Sequence, residues 1–283
     1  GCPGFESLRG YQDPRGPHRA GFSYSCPAAK RFDRTPKRVL FSCRENECVQ
    51  TIFHTNESSL AAALDVPKGI TALVGGGGKT TLMLRLAREL SQSGARVIVT
   101  TTTHILPPEG IPVGNPANAQ EVARALLLEP LLCLGKPAAE GKLTAPDLSM
   151  AMLSQLADYV LVEADGAKRL PLKAPDAHEP VIPREARLVV AVAGLDGVDR
   201  PIREVAFRPT LYAAICGKSE LETVTARDIA LVLTSPNGQR KSLPKGARFA
   251  VLLNKADDEQ ARETARAIAA ELEQYAVERV VIA

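Results

Sequence analysis

Residues 69–90, GITALVGGGGKTTLMLRLAREL, decide how the chain is read. Residues 70–74 are a short apolar run with β-branched members, the pattern of a buried strand. Gly75, Gly76, Gly77 and Gly78 follow, then Lys79, Thr80 and Thr81. A helical period begins at once, with Leu82, Leu84, Leu86, Ala87 and Leu90 mostly on one side and Arg85, Arg88 and Glu89 interleaved. Each glycine costs about 1 kcal/mol of backbone entropy relative to alanine, so four in succession need a reason. A phosphate loop supplies one: the amides of Gly75, Gly76, Gly77 and Gly78 at a helix start surround the β- and γ-phosphates with Lys79, which adds positive charge, and the Thr80 hydroxyl binds Mg²⁺. The fit to G-x-x-x-x-G-K-[ST] is partial, because the first glycine position falls on Leu73. The loop is therefore a shortened variant. The plainer alternative, a glycine turn capping a helix, accounts less well for Gly-Lys-Thr at a strand-to-helix junction.

Two later strand ends complete the pattern. In residues 159–173, YVLVEADGAKRLPLK, four residues lead into Glu163, followed by Asp165, Gly166, Lys168, Arg169 and Lys173. An acid at a strand tip with glycine three residues on fits the second half of a phosphate site: Glu163 holds the Mg²⁺ water shell and the Gly166 amide approaches the terminal phosphate. Asp165 is the alternative metal-side acid, or positions an attacking water. One of Lys168, Arg169 or Lys173 neutralises developing charge or binds an anionic partner, against the bland reading of solvated loop charges. In residues 248–258, RFAVLLNKADD, a buried strand ends in Asn254, Lys255, Ala256 and Asp257. N-K-x-D is the guanine-reading pattern. The Asp257 carboxylate accepts two N–H bonds from guanine, the Lys255 stem covers the base, and Asn254 braces the loop. Adenine offers the wrong edge. Charge-assisted bonds of about 1.5–3 kcal/mol each then favour GTP over ATP.

The remaining elements alternate in the same α/β manner. Residues 96–100 form a strand running into Thr102, Thr103 and His104, candidates for a switch sensing Mg²⁺ or the terminal phosphate. A short helix through Leu64 is capped by residue 58 or 59. Asn118 caps a helix to about Leu128, residues 131–135 are a strand, and Asp147 opens a helix through Ala157. His178 and Glu179 lie in a loop without period and are weaker substrate-facing candidates. Residues 187–196 are a strand, residues 210–216 and 225–233 helical, 259–275 a helix, and 279–282 a last strand.

Composition narrows the function classes. The chain has 283 residues, a net charge of +3 and only 4% aromatic residues. That charge, without basic clusters interleaved with aromatics, argues against nucleic acid, and no apolar run approaches a membrane span. Cys133 and Cys216 read as reduced core thiols, and the expected location is cytoplasmic. Residues 1–56 are rich in Gly, Pro, Arg and Ser and predict an irregular or disordered extension. Cys43, Cys48 and His54 within it make only a weak metal pattern, lacking a second half-site.

Together VGGGGKTT, VTTTTHI, VEADGAKRLPLKAP with HEPVIP, and LLNKAD resemble the YqeC-like family of accessory proteins for selenium-dependent molybdenum hydroxylases. The resemblance covers residues 58–283, and VEADGAKRLPLKAP is its most specific part. It implies a nucleotide-binding protein of selenium and molybdenum cofactor maturation, acting beside a selenium donor, a molybdopterin nucleotidyltransferase or a molybdenum hydroxylase. GTPases that insert nickel into hydrogenase and urease are similar in motif order, with their counterparts here at Lys79 to Thr81, Glu163 to Gly166, and Asn254 to Asp257. The fold expected over residues 57–283 is an α/β P-loop NTPase with a mostly parallel, doubly wound sheet. The expected activity is that of a Mg²⁺-dependent GTPase. A phosphotransferase acting on a small cofactor precursor, and a nucleotide-dependent scaffold without turnover, are the alternatives.

Overall fold

Long runs of Val, Leu, Ile and Ala make most of the strands, and their neighbours show why the runs are unbroken. The computed structural model describes residues 39–44, 47–53 and 59–283. Within these, ten strands form one sheet: β1 (Val39–Arg44), β2 (Glu47–Phe53), β3 (Gly69–Gly75), β4 (Val97–Thr101), β5 (Val113–Gly114), β6 (Leu131–Leu134), β7 (Tyr159–Glu163), β8 (Ala186–Gly194), β9 (Arg248–Asn254) and β10 (Arg279–Ile282). Their spatial order is β1-β2-β10-β9-β8-β3-β7-β4-β6-β5. Every neighbouring pair is parallel except β1 with β2.

A parallel sheet covered on both faces needs apolar side chains on both, which removes the alternation seen in half-exposed strands. Ile70, Ala72 and Val74 of β3 pack with Val160 and Val162 of β7, Val189 and Ala191 of β8, and Val251 and Leu253 of β9. Leu73, Leu161, Val190 and Leu252 point the other way into a second cluster. Eight helices are described: α1 (Leu60–Ala63), α2 (Lys79–Gln92), α3 (Ala119–Leu128), α4 (Met150–Leu156), α5 (Ile202–Val205), α6 (Pro209–Cys216), α7 (Ala226–Thr234) and α8 (Glu259–Leu272). The first cluster takes residues of α3 through α8, the second those of α1 and α2. The α2 contribution is Leu82, Leu86, Ala87 and Leu90 of the face read from the sequence, with Met83 in addition, while Leu84 is only half-buried. The result is an α/β architecture around a large, mostly parallel sheet.

Local differences have local causes. Helix α4 starts at Met150, three residues after Asp147, because the Ser149 side chain accepts from the Met152 amide. Asp147 instead pairs with Lys136 at 2.7 Å. Helix α8 ends at Leu272 rather than residue 275. Inside the segment expected to be irregular lie β1 and β2, and β2 pairs in parallel with β10. The expectation for residues 1–38 lies outside the described residues, as do His54 and the side chains of Cys43 and Cys48 on which the metal reading rests. Cys133 and Cys216 are unpaired thiols, and burial raises each to about 12, far from the reactive range. Among the described residues, no helix is long and apolar enough to cross a membrane.

The buried faces set a stability expectation. Leu161, on the central strand β7 and fully buried, should lose about 2–5 kcal/mol on substitution by alanine, through lost transfer energy and the cavity left behind. Leu127, 83% exposed, should change stability by less than about 0.5 kcal/mol when replaced by alanine. Paired urea unfolding curves measure both.

Candidate functional site

Strand register brings the sequence-predicted loops to one end of the sheet. Gly75 at the end of β3 lies opposite Val192 of β8. Glu163, the last residue of β7, lies opposite Leu73 on one side and Thr101 on the other. Gly194 of β8 pairs with Asn254 of β9. The carboxyl ends of five adjacent parallel strands thus share an edge, the region where open α/β sheets place their ligands.

The glycine loop is packed tightly there. Gly75, Gly77 and Gly78 have φ of 97°, 74° and 123°, which L side chains rarely adopt. Space is a second constraint: a Cβ on Gly75 would lie 2.3 Å from the Val192 carbonyl oxygen, and one on Gly77 would lie 2.2 Å from the Gly194 nitrogen. The loop amides divide into two groups. Gly75 N–H donates to Asp165 Oδ2 at 3.1 Å, Gly76 N–H to Val192 O at 3.0 Å and Gly77 N–H to Leu170 O at 3.0 Å. These three amides fix the loop and are not free to meet a phosphate, unlike the expectation that all four glycines cradle it. The amides of Gly78, Lys79, Thr80 and Thr81 have no acceptor among the described residues, and Gly78 caps α2 without a side-chain bond. Four open donors at the positive end of a 14-residue helix suit an anion.

Beside these amides, Thr80 Oγ1 donates to Glu163 Oε2 at 2.7 Å. Burial raises the Glu163 carboxyl above its ordinary value; Lys79 and the Thr80 hydroxyl counter this only in part, and the charge of Asp165 adds to it. A hydroxyl and a carboxylate oxygen at hydrogen-bond distance are hard oxygen ligands of the kind Mg²⁺ takes.

Asp165 has a different setting. It is fully buried, with Lys79 Nζ 3.1 Å from Oδ1 and Lys173 Nζ 3.0 Å from Oδ2. Lys79, only 4% exposed, also donates to the Gly75 carbonyl at 2.6 Å. Lys173 continues to Glu179 at 2.5 Å, and Glu179 to Arg208 at 2.5 Å. Burial alone would raise Glu179, yet hydrogen bonds from Arg208 and Lys173 outweigh it and hold the carboxyl below its ordinary value. The Phe207 ring lies under this chain, 4.6 Å from the Arg208 guanidinium and 5.7 Å from Lys173 Nζ. Both Asp165 oxygens thus face ammonium groups inside the protein, Lys79 on one and Lys173 on the other. These surroundings remove Lys173 from the candidates for an exposed charge.

The third motif reaches the loop through Asn254, whose Nδ2 donates to the Gly77 carbonyl at 2.7 Å. Lys255 is exposed at φ 70° and pairs with Asp196 at 2.6 Å. The exposed Asp257 carboxylate has no partner among the described residues. The remaining candidates are less converged. The Thr102 hydroxyl donates to Val181 O at 2.7 Å, and the Thr103 amide to Thr101 Oγ1 at 2.9 Å. His104 is exposed on a two-residue strand paired with Thr144. His178 is exposed, as are Lys168 and Arg169. Around Gly166 a Cβ would meet nothing within 4 Å, so no close approach requires that glycine. Arg208 and Phe207 were not singled out by sequence reasoning; 29 residues separate Arg208 from Glu179, and no local pattern joins them.

Because the Lys173 ammonium is buried between two carboxylates, Lys173→Met should cost about 3 kcal/mol by leaving both under-compensated. Lys168→Met, at an exposed cation–π contact, should cost no more than about 1 kcal/mol. Glu179 is held low in the folded state, so its stabilisation is complete above its unfolded value near pH ~4.3 and is lost as pH falls through the folded value. Lys173→Met should flatten that acid-side loss, measured by unfolding at stepped pH.

Two comparisons bear on kinship. Residues 71–210 match the family described as "YqeC protein". That span runs from β3 to the start of α6 and holds the glycine loop, Glu163, Asp165 and the Lys173–Glu179–Arg208 chain. The curated Escherichia coli (strain K12) protein named "Uncharacterized protein YqeC" is 34% identical over 193 residues, 66% of this chain and 75% of that protein. On this similarity across most of both chains, the chain belongs to the YqeC family.

Proposed function

We propose that this chain is a P-loop NTPase, a Mg²⁺-dependent GTP-binding protein whose hydrolysis of GTP gates a step of selenium and molybdenum cofactor maturation. The observation that carries the nucleotide reading is convergence. Thr80 bonds to Glu163, Asn254 bonds to the Gly77 carbonyl, and both contacts border four unpartnered amides at the start of α2. Three motifs from separate strand ends meet on one loop. The cofactor-maturation setting rests on the family resemblance.

In this reading the amides of residues 78–81 and Lys79 bind the β- and γ-phosphates. Asp165 and the Gly75 carbonyl hold the Lys79 ammonium at the floor of the loop. Thr80 and Glu163 are the residues that would hold Mg²⁺, and the ion would supply neutralisation of phosphate charge. Asp257 reads the guanine edge, the Lys255 stem lies along the base, and Asn254 fixes the loop between base and phosphates. Hydrolysis joins a water oxygen to the γ-phosphorus as that atom's bond to the β–γ bridging oxygen breaks. The bridging oxygen leaves with the electron pair on GDP, and the water's protons pass to the released phosphate and solvent. The chain's part is to position and to neutralise charge, which is most of what phosphoryl transfer asks of a protein.

Titration with GTP, ATP and CTP, with and without Mg²⁺, tests the proposal. GTP should bind at least tenfold more tightly than ATP, and Asp257→Ala should remove most of that preference. Lys79→Ala should remove binding of both. Equal affinity of the unmutated chain for GTP and ATP would overturn the guanine assignment.

Glu163 carries a second expectation. Its folded value is raised, so its charged form is disfavoured by folding. Glu163→Gln should therefore raise the thermal midpoint of the ligand-free protein while abolishing the Mg²⁺ dependence of nucleotide binding. A lower midpoint with unchanged Mg²⁺ dependence would remove Glu163 from the metal site.

A further inference from the structure

The turn after Gly166 is built in an unfavourable conformation. Leu170 N–H donates to Ala167 O at 2.9 Å, closing a four-residue turn. Its two central residues are Lys168 at φ 48° and Arg169 at φ 63°. Consecutive positive φ values are the mark of a type I′ turn, which strongly prefers Asn-Gly and penalises side chains with a Cβ. Here both positions are long cations. Strain of this kind persists only where surrounding structure enforces it. The enforcing contact is on the next residue: Leu170 O accepts from Gly77 N–H at 3.0 Å, and Pro171 O accepts from Gly194 N–H at 3.0 Å. A Cβ on Gly76 would lie 2.8 Å from Leu170 O, so the turn is seated directly on the glycine loop.

The three cations of this segment have separate fates. Lys173 is buried between Asp165 and Glu179. Lys168 Nζ lies 5.2 Å from the centre of the Phe207 ring, which the Arg208 guanidinium also approaches, at 4.6 Å. Arg169 is exposed and has no partner among the described residues. We infer that Arg169 is a ligand of the terminal phosphate, its backbone set beside the phosphate loop by the strained turn. The inference rests on the nucleotide reading and adds to it the residue that tells a triphosphate from a diphosphate. A planar guanidinium donates two parallel N–H bonds to phosphate oxygens and keeps its charge at any physiological pH. Position follows from the backbone: Arg169 is one residue from a carbonyl bonded to Gly77, and Gly77 immediately precedes the first open amide.

The test compares GTPγS and GDP binding, with Mg²⁺, in the full chain. Arg169→Ala should weaken GTPγS about 10- to 100-fold and leave GDP within about twofold. Arg169→Lys should restore part of the loss. Binding of GDP with aluminium fluoride, which mimics the phosphoryl group in flight, should fall at least as much as that of GTPγS. Arg169→Gly supplies the check on folding: relief of the left-handed strain should keep the thermal midpoint at or above that of the unmutated chain while GTPγS affinity falls. Equal losses for GTPγS and GDP, or a lowered midpoint in Arg169→Gly, would make Arg169 a structural residue and overturn the inference. Unchanged GTPγS affinity in Arg169→Ala would overturn it while leaving the nucleotide reading standing. If the unmutated chain binds neither GTPγS nor GDP, both fall.

Discussion

A fully buried carboxylate, Asp165, organises the functional end of the sheet. An ionised group there is tolerated only with compensation from several sides, because desolvation costs several kcal/mol per ion. Asp165 receives it from Lys79, Lys173 and the Gly75 amide. Each partner belongs to a different piece of the site: the start of α2, the segment after the cationic turn, and the glycine loop. One charge therefore ties three backbone segments together. Removing any partner would leave the carboxylate short, which ties the loop, the helix start and residues 166–173 to one another.

Steric constraints reinforce the electrostatic one. Gly77 has its amide against Leu170 O and no room for a Cβ beside Gly194. Gly75 is pinned against Val192 in the same way. The glycines thus serve packing more than ligand approach at these two positions, and the open donors begin one residue later, at Gly78. The loop is also shorter than the common G-x-x-x-x-G-K-[ST] form, with Leu73 at the first glycine position. Its first three amides are spent on neighbouring strands and turns, and the arc available to an anion is the helix terminus itself.

Much of this was legible because the signals were local. The Leu82, Leu86, Leu90 stripe announces α2, and apolar runs ending in Glu163 and Asn254 announce strand tips. What escaped depends on partners distant in sequence or on backbone atoms that carry no residue identity. Leu170 matters through its carbonyl, which any residue would supply. Arg208 matters through Glu179, far away in the chain. Ser149 and Asp147 can both cap a helix, and only the geometry at Met152 selects the serine. The strands β1 and β2 lie in a stretch rich in Arg, Pro and Gly, where composition hid two short runs, VLFSCR and ECVQTIF.

Charge balance gives the proposed function an internal logic. Around the loop, Glu163, Asp165 and Glu179 face Lys79, Lys173 and Arg208, and Arg208 is shared with the exposed Asp176. Lys79 serves two of the acids at once, pairing with Asp165 and lowering the cost of Glu163. A triphosphate arriving alone would draw on Lys79 and leave both acids less compensated in a site of low dielectric, where such a deficit is large. A divalent cation carried with it restores the balance on the side of Glu163, the acid whose charge burial already disfavours. Linkage is reciprocal: if the nucleotide raises the affinity for Mg²⁺ by some factor, Mg²⁺ raises that for the nucleotide by the same one. In the proposed reading, the buried charges of this loop would therefore favour taking up the pair over taking up either one singly.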